Sequence, residues 1–166
     1  EALVSADDSI KGIWVVPKYG NPTGTSVSDE VVDRLAKMST AAADFRIFWD
    51  NAYTVHHLSD DFDVIKNLFA ECKSAGNPDR VFVFGSTSKI TFAGSGISGI
   101  GASESNINWM KGHLSMSTIG PDKINQVRHT RFFGDFIGLQ DHMKKHAALI
   151  KPKFDIVISI LEAQLG

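Results

Sequence analysis

Three short apolar runs constrain this chain more than any other feature: Ile13-Trp14-Val15-Val16, Arg46-Ile47-Phe48-Trp49 and Val81-Phe82-Val83-Phe84. None alternates polar with apolar residues, so each predicts a strand buried on both faces. A helical pattern lies in each interval. The spacing of Ser26 and Asp29 fits a capping box, and Val31, Leu35, Met38 and Ala42 recur on one face, predicting a helix over 28–42. Phe62, Ile65, Phe69 and Cys72 predict a second helix over 61–75, stopped by Gly76-Asn77-Pro78. Strand, helix, strand, helix, strand with continuous apolar strands is the pattern of an α/β fold, a three-layer α/β/α arrangement around a mostly parallel sheet. Ligands of such sheets sit beyond the carboxyl ends of the strands. Here those ends carry Asn21, Asp50 and Ser86 to Lys89.

The rest of the chain differs in character. Residues 90–103 are rich in Gly and Ser, with one more strand predicted over Ile97 to Ala102. Helices are expected over 104–116 and 121–134. A long amphipathic pattern then runs over 138–165, with Met143, Ala147, Ile150, Phe154, Ile158, Leu161 and Leu165 on one face and a kink expected at Pro152. Composition narrows the function. Seventeen Lys and Arg against nineteen Asp and Glu argue against nucleic-acid binding by phosphate neutralisation and against a polybasic membrane surface. No apolar run approaches the roughly 20 residues of a spanning helix, and residues 1–4 lack the basic start and apolar core of a signal peptide. Cys72 is the single cysteine, which leaves no internal disulfide and favours a reducing, cytoplasmic compartment.

Several motifs have plain readings. Gly94-Ser95-Gly96-Ile97-Ser98-Gly99 has the glycine spacing of a dinucleotide turn, with Asp122 downstream, but that turn must leave a strand and open a helix, and neither neighbour fits. His142 and His146 stand four apart with two lysines between them and no nearby acid, so a solvated helix face is the simpler reading than a metal site. His56-His57 reads as a loop pair, Arg128 and Arg131 as a solvated face, and Cys72 as core.

Three segments together resist such readings: Asn21-Pro22-Thr23-Gly24 after the first strand, Asp50-Asn51-Ala52-Tyr53 after the second, and Ser86-Thr87-Ser88-Lys89 after the third. Their order, spacing and placement on successive strand ends resemble the fold-type-I pyridoxal phosphate enzymes, specifically class I aminotransferases. The runs Gly-Pro-Asp-Lys-Ile-Asn-Gln at 120–126 and Thr-Arg-Phe-Phe at 130–133 are similar to the alanine–glyoxylate branch related to MocR regulators.

The resemblance implies pyridoxal 5'-phosphate as cofactor and a role for each residue. Lys89 would form the Schiff base with the cofactor aldehyde and, once displaced, serve as the base that moves the Cα proton. Asp50 would pair with the pyridine nitrogen and keep it protonated. Tyr53 and Asn21 would donate to the phenolic oxygen, Ser86 would bind the phosphate, and Ser88 would offer a further hydroxyl. The substrates implied are an amino acid and a 2-oxo acid. A lyase or decarboxylase, or a cofactor-binding sensor domain without turnover, are the alternatives.

One position departs from the pattern. The family usually carries a phosphate-binding arginine eight residues after the lysine, where this chain has Ile97. Backbone N–H groups and hydroxyls of Gly94, Ser95, Gly96 and Ser98 are the expected substitute. The resemblance also implies that residues 1–137 belong to the large, cofactor-binding domain of a homodimeric enzyme, with 138–166 the helix leading to a small domain. On this reading the chain is a central fragment, inactive alone.

Overall fold

The computed structural model describes residues 1–165. Along the chain the elements are α1 (Ala2–Ala6), β1 (Gly12–Val15), α2 (Asp29–Lys37), β2 (Arg46–Asp50), α3 (Leu68–Ser74), β3 (Val81–Ser86), β4 (Ser98–Gly101), α4 (Glu104–Ser117), α5 (Lys123–Phe133) and α6 (Phe136–Leu165). They divide into two compact units. One holds Glu1–Tyr53 with Val64–Asp122; the other holds Thr54–Asp63 with the segment from Lys123 onward.

The first unit is built on a four-stranded sheet in the order β1-β2-β3-β4. The three apolar runs form β1, β2 and β3, paired in parallel, and β4 closes the edge antiparallel to β3. The expected mostly parallel α/β sheet is therefore present. Side chains alternate across each strand, and the two faces differ. Val15, Ile47, Trp49, Val81 and Val83 join Val32 and Ala36 of α2 and Leu68 and Cys72 of α3 in one apolar core. Ile47, Leu68, Val32 and Val81 are fully buried, each contributing about 1.5–3 kcal/mol of transfer free energy. The opposite face carries stacked rings of Trp14, Phe48, Phe82 and Phe84. Phe48, Phe82 and Phe84 there line a cavity of about 590 Å³ bounded by Arg46 and by Asn106 and Trp109 of α4.

Both crossover helices are shorter than their sequence patterns. The cap of α2 is Ser28, which accepts from the N–H of Val31, and not Ser26. The helix ends at Lys37 because Met38 turns extended at ψ 142°. Its fully buried positions are Val32 and Ala36, while Val31 is 39% exposed. Asn67 caps α3 by accepting from the N–H of Ala70, so residues 61–67 stay outside the helix.

In the second unit Phe62 stacks on His57, with ring centroids 3.6 Å apart. Helices α5 and α6 meet at Gly134, whose φ of +73° a side chain would resist. Asp135 then caps α6 by accepting from the N–H of Gly138. The helix runs on through Pro152 without a break. Of its expected apolar face only Met143 is buried; Phe154, Ile158, Leu161 and Leu165 are exposed. His142 lies edge-on to Phe132 and Phe133. No helix of the described residues is long and apolar enough to cross a membrane.

Candidate active site

Parallel pairing brings the carboxyl ends of β1, β2 and β3 to one edge of the sheet. Val15 pairs with Trp49, and Asp50 with Phe84. The ladder continues one bond past β2, where the N–H of Asn51 donates to the carbonyl of Phe84 at 2.9 Å. Asp50, the last residue of β2, falls on the aromatic face because it shares the parity of Phe48. Trp14 Nε1 donates to Asp50 Oδ2 at 3.3 Å, and the Trp14 ring stacks on Phe48 and Phe84 at 5.5 and 5.6 Å. The carboxylate is thus a fixed acceptor at the end of a row of rings.

The loop after β1 closes on itself. Gly20 donates to Thr25 at 2.9 Å, Val27 to Pro17 at 2.8 Å, and the hydroxyls of Thr23 and Thr25 meet at 2.8 Å. Tyr19 adopts φ +51°, a left-handed conformation uncommon outside glycine. Lys18 is only 5% exposed, with its ammonium 5.2 Å from the Tyr19 ring centroid. Asn21 sits at the exposed tip of this loop.

The third segment leaves β3 as a tight turn. Ser86 is the last residue of the strand and pairs with Ser98 of β4. Ser86 Oγ accepts from the N–H of Ser88 at 3.4 Å. The Thr87 carbonyl accepts from Ile90 and Thr91 at 3.0 and 2.9 Å, holding one turn around Lys89. Lys89 Nζ then lies 5.2 Å from the centroid of the Tyr53 ring. An amine from the end of β3 and a phenol from beyond β2 therefore meet, next to the strand end that bears Asp50. Such a set can carry an electrophile on the amine, accept an N–H at the carboxylate and donate from the phenol.

Within the segment expected to replace the missing arginine, two N–H groups are already paired. The N–H of Ser95 donates to Phe92 and that of Ile97 to Thr87 Oγ1.

A family model for aspartate amino-transferase matches residues 1–166. The chain belongs to the aspartate aminotransferase family. A provisionally named aminotransferase of Mycolicibacterium smegmatis is 54% identical over 166 residues, all of this chain and 39% of that protein. An aspartate aminotransferase of Corynebacterium glutamicum is 49% identical over the same 166 residues, 38% of its length. The crystal structure of a provisionally named aminotransferase from Corynebacterium diphtheriae superimposes with a TM-score of 0.95 at 50% identity, covering 99% of this chain and 40% of that one. The chain spans about two fifths of the length of the relatives it matches.

Against this aminotransferase background two residues stand out that the sequence alone did not single out. Trp14 is hidden in an apolar run, where nothing in the spacing distinguishes a core ring from one that donates to Asp50. Lys18 is a buried cation inside a loop motif, and its only signal is its position directly behind buried Pro17 at the end of β1.

Proposed function

We propose that Lys89, Asp50, Tyr53, Asn21, Ser86 and Ser88 form the pyridoxal 5'-phosphate site of a fold-type-I enzyme, and that the whole protein is an aminotransferase. The observation that carries this reading is the approach of Lys89 Nζ to the Tyr53 ring at 5.2 Å, beside the strand end that holds Asp50. The donor set suits this cofactor: one amine for an aldehyde, one carboxylate for a ring N–H, a phenol for a ring oxygen, and hydroxyls for a phosphate.

When bound, the cofactor supplies an aldehyde carbon and an electron-accepting ring. Lys89 Nζ would be the attachment point and, when free, the base that would take the proton from the substrate Cα. Asp50, which accepts from Trp14 Nε1, would accept the ring N–H and keep that nitrogen protonated. Tyr53 and Asn21 would donate to the ring oxygen, Ser86 would bind the phosphate, and Ser88 would offer a further hydroxyl.

The substrates on this reading are an amino acid and a 2-oxo acid. The name of the Corynebacterium glutamicum relative favours aspartate as the amino donor. The wording at 120–126 and 130–133 supports a position near the alanine–glyoxylate, MocR-related branch. Residues 1–137 fall in the large domain, 138–166 lead toward a small domain, and the enzyme is a cytoplasmic homodimer; the single cysteine of this chain, Cys72, is buried in the core.

Borohydride reduction of the whole protein loaded with pyridoxal phosphate tests the reading. Peptide mapping should find the adduct on Lys89, and Lys89→Ala should lack it. An adduct on another lysine, or none, overturns the assignment.

A further inference from the structure

Position 97, where the family's arginine is replaced by Ile97, takes part in an irregular step of the sheet. The register of β3 against β4 pairs Ser86 with Ser98, so Thr87 and Ile97 form the next antiparallel pair. In a regular ladder such a pair exchanges two backbone bonds. Among the described residues one of the two is seen: the N–H of Thr87 donates to the Ile97 carbonyl at 2.9 Å. The N–H of Ile97 donates instead to the Thr87 side chain, Oγ1, at 2.9 Å.

The Thr87 carbonyl has turned elsewhere. It accepts from the N–H of Ile90 at 3.0 Å, the N–H of Thr91 at 2.9 Å and the Thr91 hydroxyl at 3.2 Å. Those bonds define the turn that carries Lys89. The hydroxyl thus stands in for its own residue's carbonyl in the ladder, and the carbonyl is released to build the turn. Gly96 permits the close approach: a Cβ there would lie 3.1 Å from Ser88 N, 3.2 Å from Ser88 Oγ and 3.2 Å from Thr87 Oγ1.

We propose that Thr87 is the positioning residue for the Lys89 amine, through this exchange of hydroxyl for carbonyl. The proposal rests on the assignment of Lys89 as the cofactor lysine. It requires a side-chain acceptor on the β carbon at position 87, which Ser supplies and Val, of nearly the same shape, does not.

The test uses the whole protein loaded with pyridoxal phosphate, as wild type, Thr87→Val, Thr87→Ser and Gly96→Ala. Two readouts are independent of turnover: the pH midpoint of the visible band of the lysine-bound cofactor, and amide exchange in the peptide spanning 87–97. Thr87→Val should shift the midpoint, speed exchange at Ile90, Thr91 and Ile97, and weaken cofactor binding about tenfold. Thr87→Ser should stay near wild type. Gly96→Ala, which keeps the hydroxyl but crowds Ser88 and Thr87 Oγ1 by a few tenths of an ångström, should shift the midpoint in the same direction as Thr87→Val and serves in its place if Thr87→Val is not recovered folded. A Thr87→Val protein with wild-type midpoint and exchange overturns the proposal, as does Thr87→Ser behaving like Thr87→Val. A wild type with no Lys89 adduct removes the cofactor reading itself, a failure visible before any variant is compared.

Discussion

Arg80 is the clearest place to test how this fold holds β3 against α2. The last carbonyls of a helix lack intrahelical partners. Here Arg80 Nη1 donates to the carbonyls of Ala36 at 3.1 Å and Met38 at 2.8 Å, the closing residues of α2. Asn77 Nδ2 also donates to Ala36, at 2.9 Å. Replacing Arg80 with Met keeps most of the stem and removes the donors. Hydrogen bonds from a charged donor contribute about 1.5–3 kcal/mol each. Ala36 keeps Asn77, so the loss falls mainly on Met38. Some of that loss is offset, because burial already disfavours the charged guanidinium and pulls its pKa down. The expected cost of Arg80→Met is therefore ~2 kcal/mol, and of Asn77→Ala ~1 kcal/mol. In the double variant the buried Ala36 carbonyl loses both side-chain donors, so the effects should exceed additivity by about 1 kcal/mol. Urea unfolding of the cofactor-free whole protein measures all three, with amide exchange over residues 29–40 reporting the local effect. A change below about 0.5 kcal/mol for Arg80→Met, or strict additivity in the double variant, refutes the reasoning.

Trp14→Phe preserves the row of rings and removes the donor to Asp50 Oδ2. Cofactor affinity of the whole protein should fall about three- to tenfold in an equilibrium titration while the Lys89 adduct persists; unchanged affinity would deny Trp14 its role. The Cys72 thiol is pushed up to about 11 by burial, so at pH 8 only about one thiol in a thousand is ionised. Peptide-mapped labelling of Cys72 should wait for unfolding, and rapid labelling of the native protein would contradict its burial. Asp33 accepts from Lys66 Nζ at 2.5 Å, which lowers the carboxyl pKa in the folded state. The unfolded chain takes up the proton first as pH falls, so this pair stabilises above the ordinary carboxylate range and is lost below it. The stability gap between wild type and Asp33→Asn should therefore narrow as pH falls through and below the ordinary carboxylate range; a gap that stays constant would show that the pair contributes nothing through charge.

The strands were legible because burial on both faces leaves an unbroken apolar run, which few other local structures require. Helix limits were not. Ser26 and Ser28 both suit a cap, and only the path of the loop back from Pro17 to Val27 decides between them. Of the face expected for α2, Leu35 and Met38 pack against the core and Ala42 lies in it, but the fully buried positions of the helix are Val32 and Ala36, and Val31 faces outward. Phe62 and Ile65 continue the helical period of α3 backward, yet Phe62 stacks on His57 instead, and a period of apolar residues cannot announce that choice. The proposed site was legible as three motifs on three strand ends. The approach of Lys89 to Tyr53, the indole donor on Asp50 and the hydroxyl exchange at Thr87 depend on backbone direction across strands, which no spacing along one chain encodes.

The manner in which the third motif is held explains why a loop can carry chemistry here. Functional side chains are most accurately placed when regular elements fix their backbone. The end of β3 is gripped from both sides. On the β2 side the N–H of Asn51 reaches the Phe84 carbonyl, and on the β4 side Thr87 and Ile97 join by two bonds. The turn bearing Lys89 starts from a Thr87 carbonyl whose own position is set by that second grip. Tyr53 leaves the neighbouring strand three residues after Asp50, so the same register that pairs Asp50 with Phe84 also sets the reach between phenol and amine. An arginine at position 97 would add charge to this edge, but its backbone would still be committed to Thr87. The substitution by Ile97 therefore alters what the edge offers an anion and leaves intact the scaffold that aims the lysine.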